Sequence, residues 1–285
     1  MDAKLIFLHA LSPLHAGTGQ AVDVIDLPIA REKATGIPFL PGSSLKGVLR
    51  ERCTDPDLQK RVFGPPTGSA DEHAGAVHFT DLRLLLLPVR SLAGTFAWVT
   101  SPLLLRRFLR DAEGVVPAPP QQIPAPAKTA CAVADKDCAL TMAIGVATEV
   151  VLEDLLLSPT RSADAVNWAA WLAQRLFPGD PYWPGALTAR LCVVHDDVLG
   201  FLLQTATEVT ARIQLEPDTK TVKRGMLWYE EALPAETILS GLVVAAEVKA
   251  SKDVVFKTVK DLTERPLQVG GHATVGRGLC QARLV

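Results

Sequence analysis

The sequence has no run of about 18 apolar residues, so a helical membrane span is not expected. It has almost no net charge: 29 Lys and Arg against 31 Asp and Glu give −2. A surface that attracts polyanions over its whole extent is therefore excluded, and any nucleic-acid site has to be local. The five cysteines, Cys53, Cys131, Cys138, Cys192 and Cys280, are scattered and odd in number, which fits a reducing compartment better than a disulfide framework. There is no CxxC pair. Cys131 and Cys138 enclose Asp135 and Asp137, but no histidine spacing completes them into a zinc site. There is no internal repeat. The opening MDAKLIFLHALSPLHAG is apolar but carries Asp2 and runs straight into a polar loop, so it reads as a first strand and not a signal peptide. The expectation is a cytoplasmic protein with no membrane partner.

What the sequence does have is 285 residues, 48% of them hydrophobic, enough for one large core with sizeable insertions. Its 21 Pro and 20 Gly predict many loops. The pattern predicts strands over 4–12, 76–88 and 95–100, the last two as a hairpin. Helices are predicted over 43–54, 57–63 and from Pro102 to about Arg110. Residues 67–75 read as an exposed loop, and 114–127, with five prolines, as an extended connector. A strand near 144–152 precedes an amphipathic helix over 163–177, whose Trp168 and Trp171 read as core residues. A strand over 187–194 and a helix over 198–206, capped by Asp196 and Asp197, follow. Strands over 208–215 and 226–233 flank a turn at Asp218-Thr219-Lys220-Thr221. Residues 237–248 read as a strand, 253–263 as a helix and 279–285 as a final strand. The outer elements fit an α+β, ferredoxin-like βαββαβ core.

Residues 12–50 hold more polar loop than a compact domain leaves idle. They carry His15, Asp23 and Asp26, then a Pro/Gly-punctuated passage into a helix at Pro41-Gly42, with Ser43 or Ser44 as N-cap. A helix start binds phosphate through its free N–H groups, and Lys46 and Arg50 share one face behind it. Lys46, Arg50, Arg52, Lys60 and Arg61 form one basic cluster, and Lys220, Lys223 and Arg224 another. Such clusters are more often solvated faces. Near the end, Gly270, Gly271, Gly276 and Gly278 allow close backbone approach to phosphate, with His272, Thr274 and Arg277 as donors. This is not the dinucleotide fingerprint, because a helix precedes the loop and a strand follows it. His15 is a candidate acid or phosphate donor, since imidazole titrates near neutrality. In LWYEE, Tyr229 and Glu231 fall on one strand face and Glu230 on the other. Taken alone, Asp26, set between Ile25 and Leu27 in VIDLPI, reads as a structural carboxylate before a catalytic one.

HAGTGQAVDVIDLPIARE, with GIPFLPGSSLKGVLRE after it, resembles the N-terminal signature of the RAMP proteins of CRISPR systems. Within that superfamily it is most similar to the backbone ribonuclease subunits of type III-B (Cmr) effector complexes. TARIQLEPDTKTVKRGMLWYEEALPAET and the terminal QVGGHATVGRG agree, whereas residues 65–195 carry no matching motif. The resemblance implies a single RAMP domain over 1–285, an insertion over about 65–195, and a thumb β-hairpin over about 208–226 that wedges into a guide–target duplex. It implies an RNA-binding subunit of antiviral defence, stacked head to tail with copies of itself and with other Cmr subunits along a CRISPR guide RNA. It also implies divalent-dependent cutting of complementary target RNA at regular intervals, with Mg²⁺ or Mn²⁺ as cofactor. By the same resemblance Asp26 becomes the cutting residue, as metal ligand or general base, with Asp23 the weaker choice. The LWYEE segment, with Tyr229, Glu230 and Glu231, is placed near it, which glutamate faces the site being left open. Ser43, Ser44, Lys46, Arg50, Lys220, Lys223 and the loop from Gly270 to Gly278 are assigned to RNA. The rival readings are a non-cutting RAMP subunit, a guide-processing RAMP endoribonuclease, and an unrelated small-molecule enzyme.

Overall fold

The computed structural model describes residues 2–17, 25–66, 68, 73–114, 118–134 and 138–285. Asp23, Asp135, Asp137 and most of the predicted loop over 67–75 lie outside them.

The chain opens with β1 (Asp2–Ala10) and the short β2 (Phe39–Leu40), then α1 (Gly42–Arg52) and α2 (Pro56–Phe63). β3 (Val77–Phe79), β4 (Leu82–Arg90) and β5 (Phe96–Thr100) lead to α3 (Pro102–Asp111). Four strands follow: β6 (Ala130–Val133), β7 (Thr141–Ile144), β8 (Ala147–Leu152) and β9 (Leu155–Arg161). Next come α4 (Ala163–Leu176), α5 (Trp183–Arg190), β10 (Leu191–Val194) and α6 (Asp196–Thr205). The last part holds β11 (Glu208–Leu215), β12 (Val222–Ala232), β13 (Ile238–Ala245), α7 (Lys252–Thr263), β14 (Leu267–Gln268) and β15 (Leu279–Leu284).

The strands β15-β1-β13-β4 lie side by side, each antiparallel to the next. With α1 and α7 as the crossovers, this is the ferredoxin-like βαββαβ arrangement that the sequence predicts. The sheet continues beyond β4 through β5-β10-β6-β9-β8-β7, so the segment between β4 and β13 extends the core sheet. β11 and β12 stand apart as a two-stranded hairpin.

Both faces of the sheet are covered. In β1, Ile6 and Leu8 join the cluster holding Leu45 and Leu49 of α1 and Val255 and Val259 of α7. Leu5 and Phe7 face the cluster holding Phe108 of α3, Trp168 of α4 and Leu187 of α5. That two-sided burial explains why the strand reads as a continuous apolar run instead of an alternation. Trp168 is fully buried, so it is a core residue as expected. No helix among the described residues is long and apolar enough to cross a membrane.

The structure corrects the sequence reading at several places. Residues 187–190 are helical: Asp180 accepts hydrogen bonds from the N–H groups of Tyr182 and Trp183, and Pro184 fits the first turn of α5. The strand expected near 144–152 is a hairpin, because Gly145 turns the chain at a φ of 61° between β7 and β8. Neither Ser43 nor Ser44 caps α1. The N-cap is Pro41, and the Gly42 N–H donates to Asp81 Oδ1 at 2.9 Å. Asp196 and Asp197 do not cap α6 either: His195 does, while Asp196 Oδ1 accepts from Leu103 N–H at the start of α3.

Candidate active site and nucleic-acid interface

Four stretches distant in sequence converge at the root of the β11–β12 hairpin: 13–17, 25–31, 229–233 and 270–278. They are sewn together mostly by main-chain bonds. Leu14 and Leu233 exchange both of theirs, Leu27 N–H donates to Tyr229 O, and Glu231 N–H returns to Leu27 O. Gly271 N–H donates to His15 O at 2.9 Å, and Gly278 N–H to Pro13 O at 2.8 Å. Loop backbone thereby finds the partners it needs without regular sheet.

Two of the candidate groups hang on one strand. Asp26, which is exposed, accepts the Tyr229 N–H on Oδ2 at 2.8 Å. His15, which is buried, bonds through Nδ1 to the Glu231 carbonyl at 2.7 Å. A carbonyl only accepts, so Nδ1 carries the proton and Nε2 is left for other chemistry. The two anchors are two residues apart on β12, about 7 Å along the strand. Around His15 there is no room for side chains. A Cβ on Gly17 would lie 2.6 Å from Nε2, and one on Gly271 would lie 3.1 Å from Cδ2. The His272 ring meets that of His15 edge to face, with centroids 4.7 Å apart. His272 holds a left-handed φ of 64°, a conformation that non-glycine residues adopt only where the surroundings impose it.

The glutamates are not free reactants. Glu231 is buried, and its carboxylate takes hydrogen bonds from Arg31 Nη2 (2.5 Å), Thr207 Oγ1 (2.9 Å) and Ile29 N–H (3.1 Å). Glu230 is buried too and takes bonds from Trp228 Nε1 (3.0 Å) and Arg212 Nε (3.1 Å), with His272 Nδ1 3.8 Å and Arg277 Nε 3.9 Å away. Burial pushes the Glu230 carboxyl up, but the Trp228 and Arg212 hydrogen bonds and the charges of His272 and Arg212 outweigh it, and the group stays below its ordinary value. Tyr229 is exposed. Of the five residues picked from the sequence as candidate reactants, Asp26 and Tyr229 present exposed side chains, His15 is buried with its ring against Gly17, Gly271 and His272, and Glu230 and Glu231 hold the frame. Arg31 is the frame residue that sequence reasoning missed. Nothing in an Arg-Glu-Lys run distinguishes a buried anchor from solvated charge.

The residues assigned to RNA divide in the same way. Ser43 is exposed and Ser44 half-buried at the start of α1. Burial, aided by Arg50, lowers the Lys46 ammonium from its ordinary value. Arg50 itself donates to Gly64 O. Lys220 and Lys223 are exposed near the hairpin tip, and Gly270, Thr274 and Gly276 are exposed on the Gly-rich loop. Arg277 is buried, donates to Thr210 Oγ1 at 3.2 Å and lies 3.6 Å from Glu208 Oε2, so it ties the loop to β11.

Among the described residues no three His, Cys, Asp or Glu side chains come together as a metal cage. Among the described residues of the Asp26 loop and the LWYEE strand, Asp26 is the carboxylate that is exposed. A single carboxylate suits an ion held mainly by water and substrate phosphate.

A fold and site of this kind define a RAMP domain. The RAMP superfamily profile matches residues 7–281, and the chain belongs to that superfamily. Over its whole length it is 34% identical to the "CRISPR system Cmr endoribonuclease Cmr4" of Pyrococcus furiosus, covering 96% of that protein, so within the superfamily it is a member of the Cmr4 family. It is 23% identical to the "CRISPR system CMR subunit Cmr4" of Saccharolobus solfataricus, over 98% of this chain and 96% of that one. The crystal structure of oligomeric Cmr4 from Pyrococcus furiosus covers the whole chain, and 98% of its own length is matched, with a TM-score of 0.75 at 28% identity. A type III-B Cmr-beta complex bound to cognate target RNA contains a chain of the same fold, with a TM-score of 0.75 at 22% identity, over 100% of this chain and 97% of that one.

Proposed function

We propose that this chain is the repeated backbone subunit of a type III-B CRISPR effector complex, and that it binds guide RNA and cuts complementary target RNA through Asp26. The observation that carries the reading is the placement of Asp26 and His15 on neighbouring main-chain anchors of β12, at the root of the protruding hairpin. A carboxylate and an imidazole held on anchors two residues apart along one strand suit the two sides of one phosphodiester. Full-length likeness to a protein named a Cmr endoribonuclease, and to an oligomeric Cmr4, supports cutting and self-stacking.

RNA carries its own nucleophile. The ribose 2′-hydroxyl gives its proton to Asp26, and its oxygen attacks the adjacent phosphorus. The P–O5′ bond breaks, and the leaving 5′-oxygen takes the Nε2 proton of His15 in its doubly protonated, imidazolium form, whose Nδ1–H stays on the Glu231 carbonyl. The products are a 2′,3′-cyclic phosphate and a 5′-hydroxyl. The hairpin and the Gly-rich loop hold the strand so that the 2′-oxygen, phosphorus and 5′-oxygen lie in line, which supplies much of the acceleration. A divalent ion, Mg²⁺ or Mn²⁺, would be held by Asp26 with phosphate oxygens and water, and would neutralise phosphate charge. Guide contacts fall to Ser43, Ser44, Lys46, Lys220, Lys223 and the exposed part of the Gly-rich loop.

The test assembles the chain with guide RNA and partner subunits and adds end-labelled complementary RNA with and without Mg²⁺. Wild type should give an evenly spaced ladder that Asp26→Asn abolishes with target binding intact. A ladder from Asp26→Asn would move the chemistry elsewhere, and binding without a ladder from either protein would leave a purely structural subunit.

A further inference from the structure

Between Asp26 and β2 the chain contains only single β-bridges and a tight turn, so its shape has to be imposed from outside. Two consecutive side chains do this in opposite directions. Arg31 donates through Nη1 to Gly36 O (2.9 Å) and through Nη2 to Leu203 O of α6 (2.9 Å) and to Glu231 Oε1 of β12 (2.5 Å). Glu32 receives both terminal nitrogens of Arg107, from α3, at 2.9 and 2.5 Å. Arg83 of β4 lies 3.6 Å from the same carboxylate and bonds to Asp111, one turn beyond Arg107, at 2.8 Å. Thr35 Oγ1 closes the turn onto Glu32 at 2.7 Å.

We propose that Arg31 and Glu32 are positioning residues for cleavage, and that Arg107 is the remote anchor through which α3 holds the Asp26 loop in its cutting geometry. The proposal rests on Asp26 being the cutting residue. Both pairs are half-buried to buried, and the Glu32–Arg107 contact is a two-pronged carboxylate–guanidinium pair, the geometry that fixes orientation as well as distance. The Arg107 hydrogen bond holds the Glu32 carboxyl below its ordinary value, against the effect of burial. The Arg31 pair also bears on His15, because the Glu231 whose side chain it grips offers its carbonyl to the His15 ring. Anchors on β12 and α6 on one side, and on α3 and β4 on the other, leave the loop no direction in which to drift. Both α3 and α6 lie between β4 and β13, outside the stretches on which the family resemblance rests.

The experiment uses the assembled, guide-loaded complex at saturating target and compares Arg107→Gln, Glu32→Gln, the double variant, Arg107→Lys and Asp26→Asn in single turnover. Arg107→Gln and Glu32→Gln should each cut about tenfold or more slowly, the scale of loss expected when a reacting group is misplaced by under an ångström. Target affinity and cut positions should stay those of wild type. The double variant should be no slower than the worse single, and Arg107→Lys should recover part of the rate. A merely structural contact would instead lower assembly while sparing the rate per assembled complex, and that outcome overturns the proposal. Arg107→Gln and Arg107→Lys both cutting at the wild-type rate beside an inert Asp26→Asn would overturn it as well. Wild-type cutting by Asp26→Asn would sink the site reading itself and this inference with it. If Arg107→Gln does not assemble, Arg107→Lys decides on the same readouts.

Discussion

Glu231 does more with its main chain than with its charge. Its N–H meets the Asp26 loop, its carbonyl meets His15, and its buried carboxylate gathers Arg31, Thr207 and Ile29. Removing one member of such a buried pair strands the other, so Glu231→Ala should lower stability by about 3 kcal/mol, read from denaturant midpoints at unchanged slope. Glu231→Gln, which keeps the shape and part of the hydrogen bonding, should cost clearly less. Gly17 offers the complementary case. Gly17→Ala puts a methyl against the His15 ring and should slow cutting while leaving guide binding intact. Full cutting by that variant would show that the ring has room to move. At this scale the sequence brought Asp26 and His15 into one stretch, and the structure sets both against β12, because the motif around them is local. It was not legible for Arg31 or for the frame role of Glu231, because their partners lie 200 residues away and only folding joins them.

Elements joined by side chains can be uncoupled without being unfolded. The β11–β12 hairpin meets the Gly-rich loop through Glu230, Glu208, Arg277, Arg212 and His272. The Glu230 carboxyl is held below its ordinary value, so the stabilisation it gives is complete above the unfolded-state carboxyl range and is lost as pH falls through the lower folded value. Amides of β11 and β12 should exchange faster with solvent as pH falls through that window, after correction for intrinsic rates, and Glu230→Gln should remove the step. Unchanged exchange would mean that backbone pairing alone holds the root. Long or strongly patterned elements were readable: β1, α3, α4, α7 and the hairpin strands fall within a few residues of expectation. The four-residue strands β6 and β7 and the helix α5 were not, nor was the seven-residue β9. Four-residue strands carry too little periodicity, and α5 is set by Asp180, a capping residue whose role appears only once Trp183 packs on Phe177.

For the molecule as a whole, the ferredoxin order was predictable from the sequence of elements and the family resemblance. The β4–β5 hairpin was legible too, but the strands added beyond β5 were not, since nothing local says which strands pair across the rest of the segment before β13. The sheet interior also shields thiols. Cys131 and Cys192 are fully buried on adjacent strands, and their contact together with burial pushes the Cys192 thiol well up. Burial pushes that of Cys280 up to about 12. Native protein treated with iodoacetamide at neutral pH should therefore be modified at the half-buried Cys138 before Cys131, Cys192 or Cys280, which should react together with global opening. Peptide mass spectrometry over a time course checks the order, and early labelling of Cys192 would contradict it.

The central position of β1 has a consequence for synthesis. Its two neighbours, β13 and β15, come from residues 238–245 and 279–284, and the Val285 N–H closes onto Leu5 O. As the chain leaves the ribosome, its first strand emerges with nothing to pair with and waits for more than 200 residues before its partners exist. Pairings of such sequence separation are slow to form. For that interval an apolar strand, LIFLHA, is exposed in the growing chain, and its protection falls to whatever holds nascent chains until the last strand zips into place.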